Sequence, residues 1–191
     1  MPHDTSAPER PDAMPDVELA RAARLGDEVA FEQIVDRHGP AMYRFARRLL
    51  LHDANAQDVV QDAFVSAWKD LPSYAGRSSL RTWLFSLTAR RAADLQRRRT
   101  PVPVDDEVLT TLLPATTRSP QQDALDRELV TALRQALAEL PWRQRAIWLL
   151  REIDGLSYRE IADALAIPED SVRGQLYRGR RALAERMNSW R

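Results

Sequence analysis

At 191 residues, with 28 basic and 28 acidic side chains, the chain has a formal charge of zero and room for one domain or two small ones. Cysteine is absent, which excludes disulfides, thiolate metal sites and cysteine nucleophiles. No apolar run approaches the roughly 18 residues that a membrane-spanning helix needs, so a soluble, cytoplasmic protein is expected.

Residues 1–16 hold Pro2, Pro8, Pro11 and Pro15 among charges and lack the apolar core of a signal peptide, so a disordered tail is expected there. Val17 to Leu25 reads as a short helix ending at Gly26. Phe31, Ile34 and Val35, then Met42, Tyr43, Phe45 and Leu49, mark two helical stripes interrupted at Gly39-Pro40. His38, beside that interruption, is expected at a helix end.

Val59, Val60, Ala63, Phe64, Ala67, Trp68 and Leu71 form a stronger stripe, capped by Asp53 or Asn55, with Trp68 expected in the core. Gln57, Asp58, Gln61 and Asp62 fall together on the polar side of the same helix. Two carboxylates four residues apart on a helix are usually solvated rather than metal-binding, and a protein-docking face is the sharper alternative. A loop follows, Leu71 to Ser79, and then another helical stripe at Leu80, Trp83, Leu84, Leu87 and Leu95. Between Arg77 and Arg99 seven arginines meet one acid, Asp94. Aromatics interleaved with arginines suit single-stranded nucleic acid, because bases stack on rings while arginines follow phosphates. On that ground Arg90, Arg91 and Arg97 to Arg99 are read as nucleic-acid contacts.

Residues 100–122 contain Pro101, Pro103, Pro114, Pro120 and the acidic run Asp105 to Glu107. No helical period survives, so the stretch reads as a linker. Leu125, Leu129, Leu133, Leu137 and Leu140 then lead into Ile147, Leu149, Leu150 and Ile153. Ser157 and Glu160 make a capping box before Ile161, Ala162 and Leu165, and Pro168 marks a turn. Asp170 or Ser171 would cap a second helix, with Val172, Leu176 and Leu183 inward and Arg173, Gln175, Arg178 and Arg181 outward. From Ser171 to Arg191 six arginines stand against one glutamate. Two short helices joined by a tight turn, the second basic, are what a helix-turn-helix needs to enter a DNA major groove.

The expected architecture is all-α: a tail over 1–16, a helical domain over 17–99, a flexible acidic, proline-containing linker over 100–122, and a helix-turn-helix domain over 123–191. An enzyme is not expected. Only His3, His38 and His52 are present, with no phosphate-binding glycine loop and no convincing carboxylate pair. No catalytic residue, metal site or cofactor is assigned.

The run Asp53 to Trp68 resembles the helix by which bacterial sigma factors dock on RNA polymerase. Tyr74 to Leu84, continuing through Asp94 to Arg99, resembles the promoter-melting part of the extracytoplasmic-function (ECF) group. Leu140-Pro141, Arg145 and the helix-turn-helix are similar to that group's C-terminal domain, in the same order. The resemblance covers roughly 17–99 and 123–187.

It implies that Gln57, Asp58, Gln61 and Asp62 meet the clamp helices of the polymerase's largest subunit, with the flap as a further contact. The loop from Ser73 to Ser79 would hold a flipped base of the melted non-template strand at the −10 element, through Ser73, Tyr74, Arg77 and Ser78 with Arg81 and Trp83. Flipping costs a few kcal/mol, offset by stacking and pocket contacts. Arg90, Arg91 and Arg97 to Arg99 would hold phosphates beside the melted region. Ser157, Tyr158, Arg159, Ser171, Arg173, Gln175, Arg178 and Arg181 would engage duplex promoter DNA at the −35 element. The acidic linker would thread the polymerase's RNA path, and an anti-sigma factor, able to hold the chain at the membrane, is an implied partner.

The sequence departs from the group at Gly174-Gln175, where a helix-weakening glycine and an amide stand in place of the usual hydroxyl and basic pattern, and at His52 before Asp53. A second reading is a stand-alone helix-turn-helix regulator, which would bind duplex DNA without polymerase. The polar face at Gln57 to Asp62 argues against it.

Overall fold

The computed structural model describes residues 14–51, 53–98 and 120–188, with backbone alone at 53 and 120–127. His3, His52, Arg99 and the acidic run Asp105 to Glu107 lie outside the described residues. Eight α-helices are found among the described residues: α1 (Asp16–Arg24), α2 (Glu28–Leu50), α3 (Asp53–Asp70), α4 (Leu80–Arg98), α5 (Pro120–Ala138), α6 (Trp142–Trp148), α7 (Tyr158–Leu165) and α8 (Glu169–Met187). The fold is all-α.

Helix α1 ends as expected, with Leu25 as C-cap and Gly26 at φ +92°. Helix α2 departs from the expectation. It runs unbroken through Gly39-Pro40, with Ile34 and His38 buried before the proline and Met42 and Phe45 after it. Pro40 removes one ladder donor, but apolar burial on both sides holds the axis together. Gly39 has its own reason to be there, since a Cβ would sit 3.7 Å from the Phe64 ring of α3. His38 is therefore a mid-helix residue and not a helix end. Its Nε2 lies 3.0 Å from Asp16, which also accepts from Arg37 at 2.7 Å. The bond from His38 holds the Asp16 carboxyl below its usual range, with Arg37 adding to the effect and burial opposing it.

In α3, Asn55 is a buried residue of the first turn, not a cap. Trp68 is not core either: it is 37% exposed, its ring set edge-on to Phe31 with centroids 4.9 Å apart. A short 3₁₀ turn, Leu71–Ser73, opens the loop that follows.

Helix α5 begins at Pro120, inside the segment expected as linker, and Leu129 is exposed while Val130 and Leu137 are buried. A four-residue leucine spacing overshoots the 3.6-residue turn, so such a stripe rotates off the core face. After α6 a π-helical turn, Leu149–Ile153, buries Leu149 and Leu150 but leaves Ile153 exposed. The capping box forms as expected, and α7 ends at Ala166 in the left-handed region, φ 52°. Helix α8 starts earlier than expected: Pro168 is its N-cap, and Asp170 and Ser171 lie within its first turn. Proline suits that place because its fixed φ is pre-set and its missing N–H costs nothing there.

The N-terminal and C-terminal helices pack on one another. One apolar cluster runs from Phe45, Leu49 and Phe85 to Leu150, Ile161 and Leu176, and α4 lies along α7. A second cluster, around Leu19, Ile34, Met42 and Leu84, belongs to the N-terminal helices alone.

Candidate nucleic-acid interface

Two basic surfaces are built on these helices. The first is the helix-turn-helix. Ser157 Oγ accepts from the Glu160 amide at 3.2 Å, and the Glu160 carboxylate accepts from the Ser157 amide at 2.8 Å, so the first turn of α7 is closed at both donors. Burial alone would raise the Glu160 pKa, but its bonds to Ser157 and Thr82 and the nearby Arg81 outweigh that and lower it. Val172, Leu176, Gly179 and Leu183 of α8 face inward, while Ser171, Arg173, Arg178 and Arg181 are exposed and Gln175 is half-buried.

The arginines of α8 are not equivalent. Arg173 donates to Glu169 at 2.5 Å and to Asp170 at 3.4 Å, and its guanidinium lies 5.5 Å from the Tyr158 ring centroid. Arg181 donates to Glu185 at 2.8 Å. Arg178 folds back over Gly174, 3.6 Å from where a Cβ would stand. Arg180, not among the residues expected at the DNA, pairs with Glu152 before α7 at 2.5 Å and ties α8 to the π-helical turn. Arg159 is exposed and Tyr158 half-buried beside Arg151 at 5.0 Å.

The second surface is the loop before α4 and the helix itself. Tyr74 donates from its hydroxyl to the Ser78 carbonyl at 2.6 Å and sets its ring 4.9 Å from Trp83 at a 34° tilt. Burial pushes the Tyr74 hydroxyl pKa up, with Asp16 adding to it. Ser73 and Arg77 are exposed beside this pair. Arg81 is turned elsewhere: it donates to the Asp154 carbonyl at 2.9 Å and lies 5.0 Å from the Phe85 ring. Further along, Arg90 donates to Ser86 at 3.3 Å, Arg91 to Ser66 at 2.6 Å, and Arg97 pairs with Asp94, with Arg98 exposed beyond them.

On α3, Gln57, Asp58, Gln61 and Asp62 are all exposed on one side. Gln57 and Gln61 also line an apolar groove of about 690 Å³ between α2 and α3, together with Phe31, Val35, Tyr43, Val60, Phe64 and Trp68. With Trp68 expected in the core, spacing does not reveal this groove; the apolar Val65, one helical turn before Trp68 and 49% exposed, is the signal for it in the sequence.

An all-helical chain that ends in a helix-turn-helix and carries a basic helix in its N-terminal half belongs to the nucleic-acid-binding class. Comparison makes the class definite. Residues 34–101 match the family model for Sigma-70 region 2, and residues 131–183 match that for Sigma-70, region 4. The chain is 31% identical to the RNA polymerase sigma factor NccH of Alcaligenes xylosoxydans xylosoxydans over 91% of its own length and 95% of that protein. It is 29% identical to the ECF RNA polymerase sigma factor SigW of Bacillus subtilis over 87% and 94% respectively. Among solved structures it is similar to CnrH in complex with the cytosolic domain of CnrY, with a TM-score of 0.68 at 29% identity, covering 91% of this chain and 97% of that one. The chain belongs to the ECF sigma factors of bacterial RNA polymerase.

Proposed function

We propose that the chain directs core RNA polymerase to promoters through three separate surfaces. Helix α3 docks on the largest subunit's clamp helices by Gln57, Asp58, Gln61 and Asp62 around the apolar groove. The loop from Ser73 to Ser78, with Arg77 and Trp83, receives an unstacked base of the −10 element. Helix α8, through Ser171, Arg173, Gln175 and Arg178, reads the −35 element in duplex DNA, supported at the backbone by Ser157, Tyr158 and Arg159. Arg90, Arg91, Arg97 and Arg98 contribute phosphate contacts. The chain supplies binding energy and strand separation, and phosphodiester chemistry belongs to the polymerase.

The observation that carries this reading is the α3 face. Gln57 and Gln61 line the edge of an exposed aromatic groove beside α3, and the exposed acids Asp58 and Asp62 stand next to them on the same helix. Polar rim around apolar centre is the anatomy of a protein interface, and a stand-alone regulator has no use for it. A protein partner that restrains the chain is part of the same proposal, which the complex of the similar CnrH with CnrY supports. The chain would then work in the cytoplasm and reach the membrane only through that partner. Among the described residues, no helix is long and apolar enough to cross a membrane.

Co-elution with purified core polymerase tests the reading. The wild-type chain should co-elute and Asp58→Ala/Asp62→Ala should not. Failure of the wild type to co-elute, together with tight duplex binding by the chain alone, would replace this function with that of a stand-alone regulator.

A further inference from the structure

Along the sequence α8 is strongly basic, but in space most of its charge is matched. Arg173 pairs with Glu169 at 2.5 Å, Arg180 with Glu152 at 2.5 Å, Arg181 with Glu185 at 2.8 Å and Arg186 with Glu139 at 2.6 Å. Arg178 is the one arginine of α8 without a carboxylate partner among the described residues. Non-specific affinity for DNA comes almost wholly from cations that neutralise phosphates, whereas base edges carry the sequence information. A reading helix whose cations are already matched gives up much of the first and keeps the second.

The pair at Arg173 stands apart because it lies near the end of the helix that reaches base edges in a helix-turn-helix. Glu169 is the first residue of α8, and Asp170, the second, accepts from the same guanidinium at 3.4 Å. Glutamate four residues before a cation is the favourable order for such a pair. The Tyr158 ring of α7 holds the guanidinium as well, its centroid 5.5 Å from Arg173 and 5.0 Å from Arg151, which donates in turn to the Leu156 carbonyl at 2.9 Å. Arg173 is therefore oriented before DNA arrives. The side chains of Arg173 and Glu169 stay 58% and 41% exposed, and an exposed pair is weak enough for DNA to displace. Acids in a first turn also suit the helix dipole. The dipole accounts for Asp170 and Glu169 alike; the short ion pair beside the aromatic ring is what singles out Glu169.

We propose that Glu169 is a specificity-determining residue of α8, which holds Arg173 back from backbone phosphates and leaves it oriented for base edges. The carboxylate offsets the charge that any phosphate would use. It does not occupy the whole guanidinium fork, whose five N–H donors leave some for a base. Binding to arbitrary duplex falls, binding to the matching duplex falls less, and the ratio between them widens. This inference rests on the proposed function only in taking α8 as the helix that reads duplex DNA; polymerase plays no part in it.

Fluorescence anisotropy with the full chain tests this on two probes, a duplex pool of random sequence and the duplexes that the wild-type chain recovers from that pool. Glu169→Gln keeps the shape of the side chain and leaves Asp170 at the helix end, so helical circular dichroism should match wild type. Affinity for the random pool should rise about three- to tenfold, and the slope of log K against log salt should steepen by about one, as for one more phosphate contact. A loss of structure would not steepen that slope. Affinity for the recovered duplexes should rise by less, so that discrimination narrows. In an Arg173→Ala background the same substitution should leave the random-pool affinity and slope unchanged. No gain in Glu169→Gln, or an equal gain on both probes, would overturn the inference. A gain that persisted without Arg173 would also overturn it, because Glu169 would then act by general repulsion. Arg173→Ala binding the recovered duplexes as tightly as wild type would instead remove Arg173 from duplex DNA, and the reading on which this inference rests would fail first.

Discussion

The guanidinium of Arg145 in α6 donates to the carbonyl of Leu49 at the end of α2, 3.1 Å away and 96 residues earlier in the chain. The same side chain reaches the carbonyls of Ala138 and Leu140, both at 3.3 Å. A helix end leaves its last carbonyls without donors, and a planar fork of five N–H groups can serve several at once. Burial lowers the Arg145 pKa to about 10, which still leaves it charged at neutral pH.

Arg145→Met should therefore be strongly destabilising. It fills similar space but leaves buried carbonyls unpaired, at a cost of about 2–4 kcal/mol. Arg145→Lys should recover only part of that, since an ammonium cannot span the three acceptors. Urea unfolding followed by circular dichroism reads both. An Arg145→Met midpoint equal to wild type would show that water serves these carbonyls equally well.

Much of this was legible in the sequence, and the exceptions share a cause. The capping box at Ser157–Glu160 and the inward set Val172, Leu176 and Leu183 are local signals, and both formed. Pro40 inside α2, the exposed Trp68 and the outward Leu129 are settled by what lies opposite them in space. Spacing alone does not report that. The site residues divide the same way. The exposed set on α3 follows from helix geometry, whereas the attachment of Arg81 to Asp154 joins residues 73 positions apart, which no motif encodes.

The groove beside α3 gives a functional prediction that can be separated from stability. Val65 is 49% exposed, so charging it removes little from the core, whereas Trp68, 37% exposed, packs on Phe31. Val65→Asp should shift the unfolding free energy by less than about 1 kcal/mol, while Trp68→Ala, which also loses the packing on Phe31, should cost about 1–3 kcal/mol and leave the chain folded. Aromatic residues at an interface centre commonly contribute 2 kcal/mol or more, roughly thirtyfold in affinity. Polymerase binding measured by fluorescence anisotropy should fall by that order in Trp68→Ala. Binding within twofold of wild type would remove the groove from the docking surface.

Of the two glycines in α8, Gly179 is buried against α6 while Gly174 is not, and the backbone φ of Gly174 is outside the left-handed region. Alanine there should gain about 1 kcal/mol from helix propensity. The new Cβ would meet only the Arg178 guanidinium, at an ordinary 3.6 Å contact. Gly174→Ala is expected to raise thermal stability by a few degrees. If Arg178 uses this recess when it contacts DNA, the variant should also weaken binding to duplex promoter DNA. A more stable protein with unchanged duplex affinity would show that the recess plays no part in DNA binding.

Asp154 makes the packing of the two units pH-dependent, in a direction opposite to most carboxylates. Burial raises its pKa to about 6 from an ordinary 3.8, with Arg48, Arg81 and Arg44 pulling the other way. Its Oδ2 is buried without a hydrogen-bond partner among the described residues. The packed state therefore holds more protons than the released state between pH 3.8 and 6. It gains stability as pH falls through that window and loses it as pH rises. Asp16 and Glu160, whose pKa values are lowered, act the other way, but only below their ordinary 3.8 and 4.5. Between pH 7 and pH 5 the Asp154 effect should dominate at about 1 kcal/mol. Urea unfolding at the two pH values should show the wild type more stable at pH 5, and Asp154→Asn should flatten that difference. A variant that kept the wild-type slope would place the titrating group elsewhere.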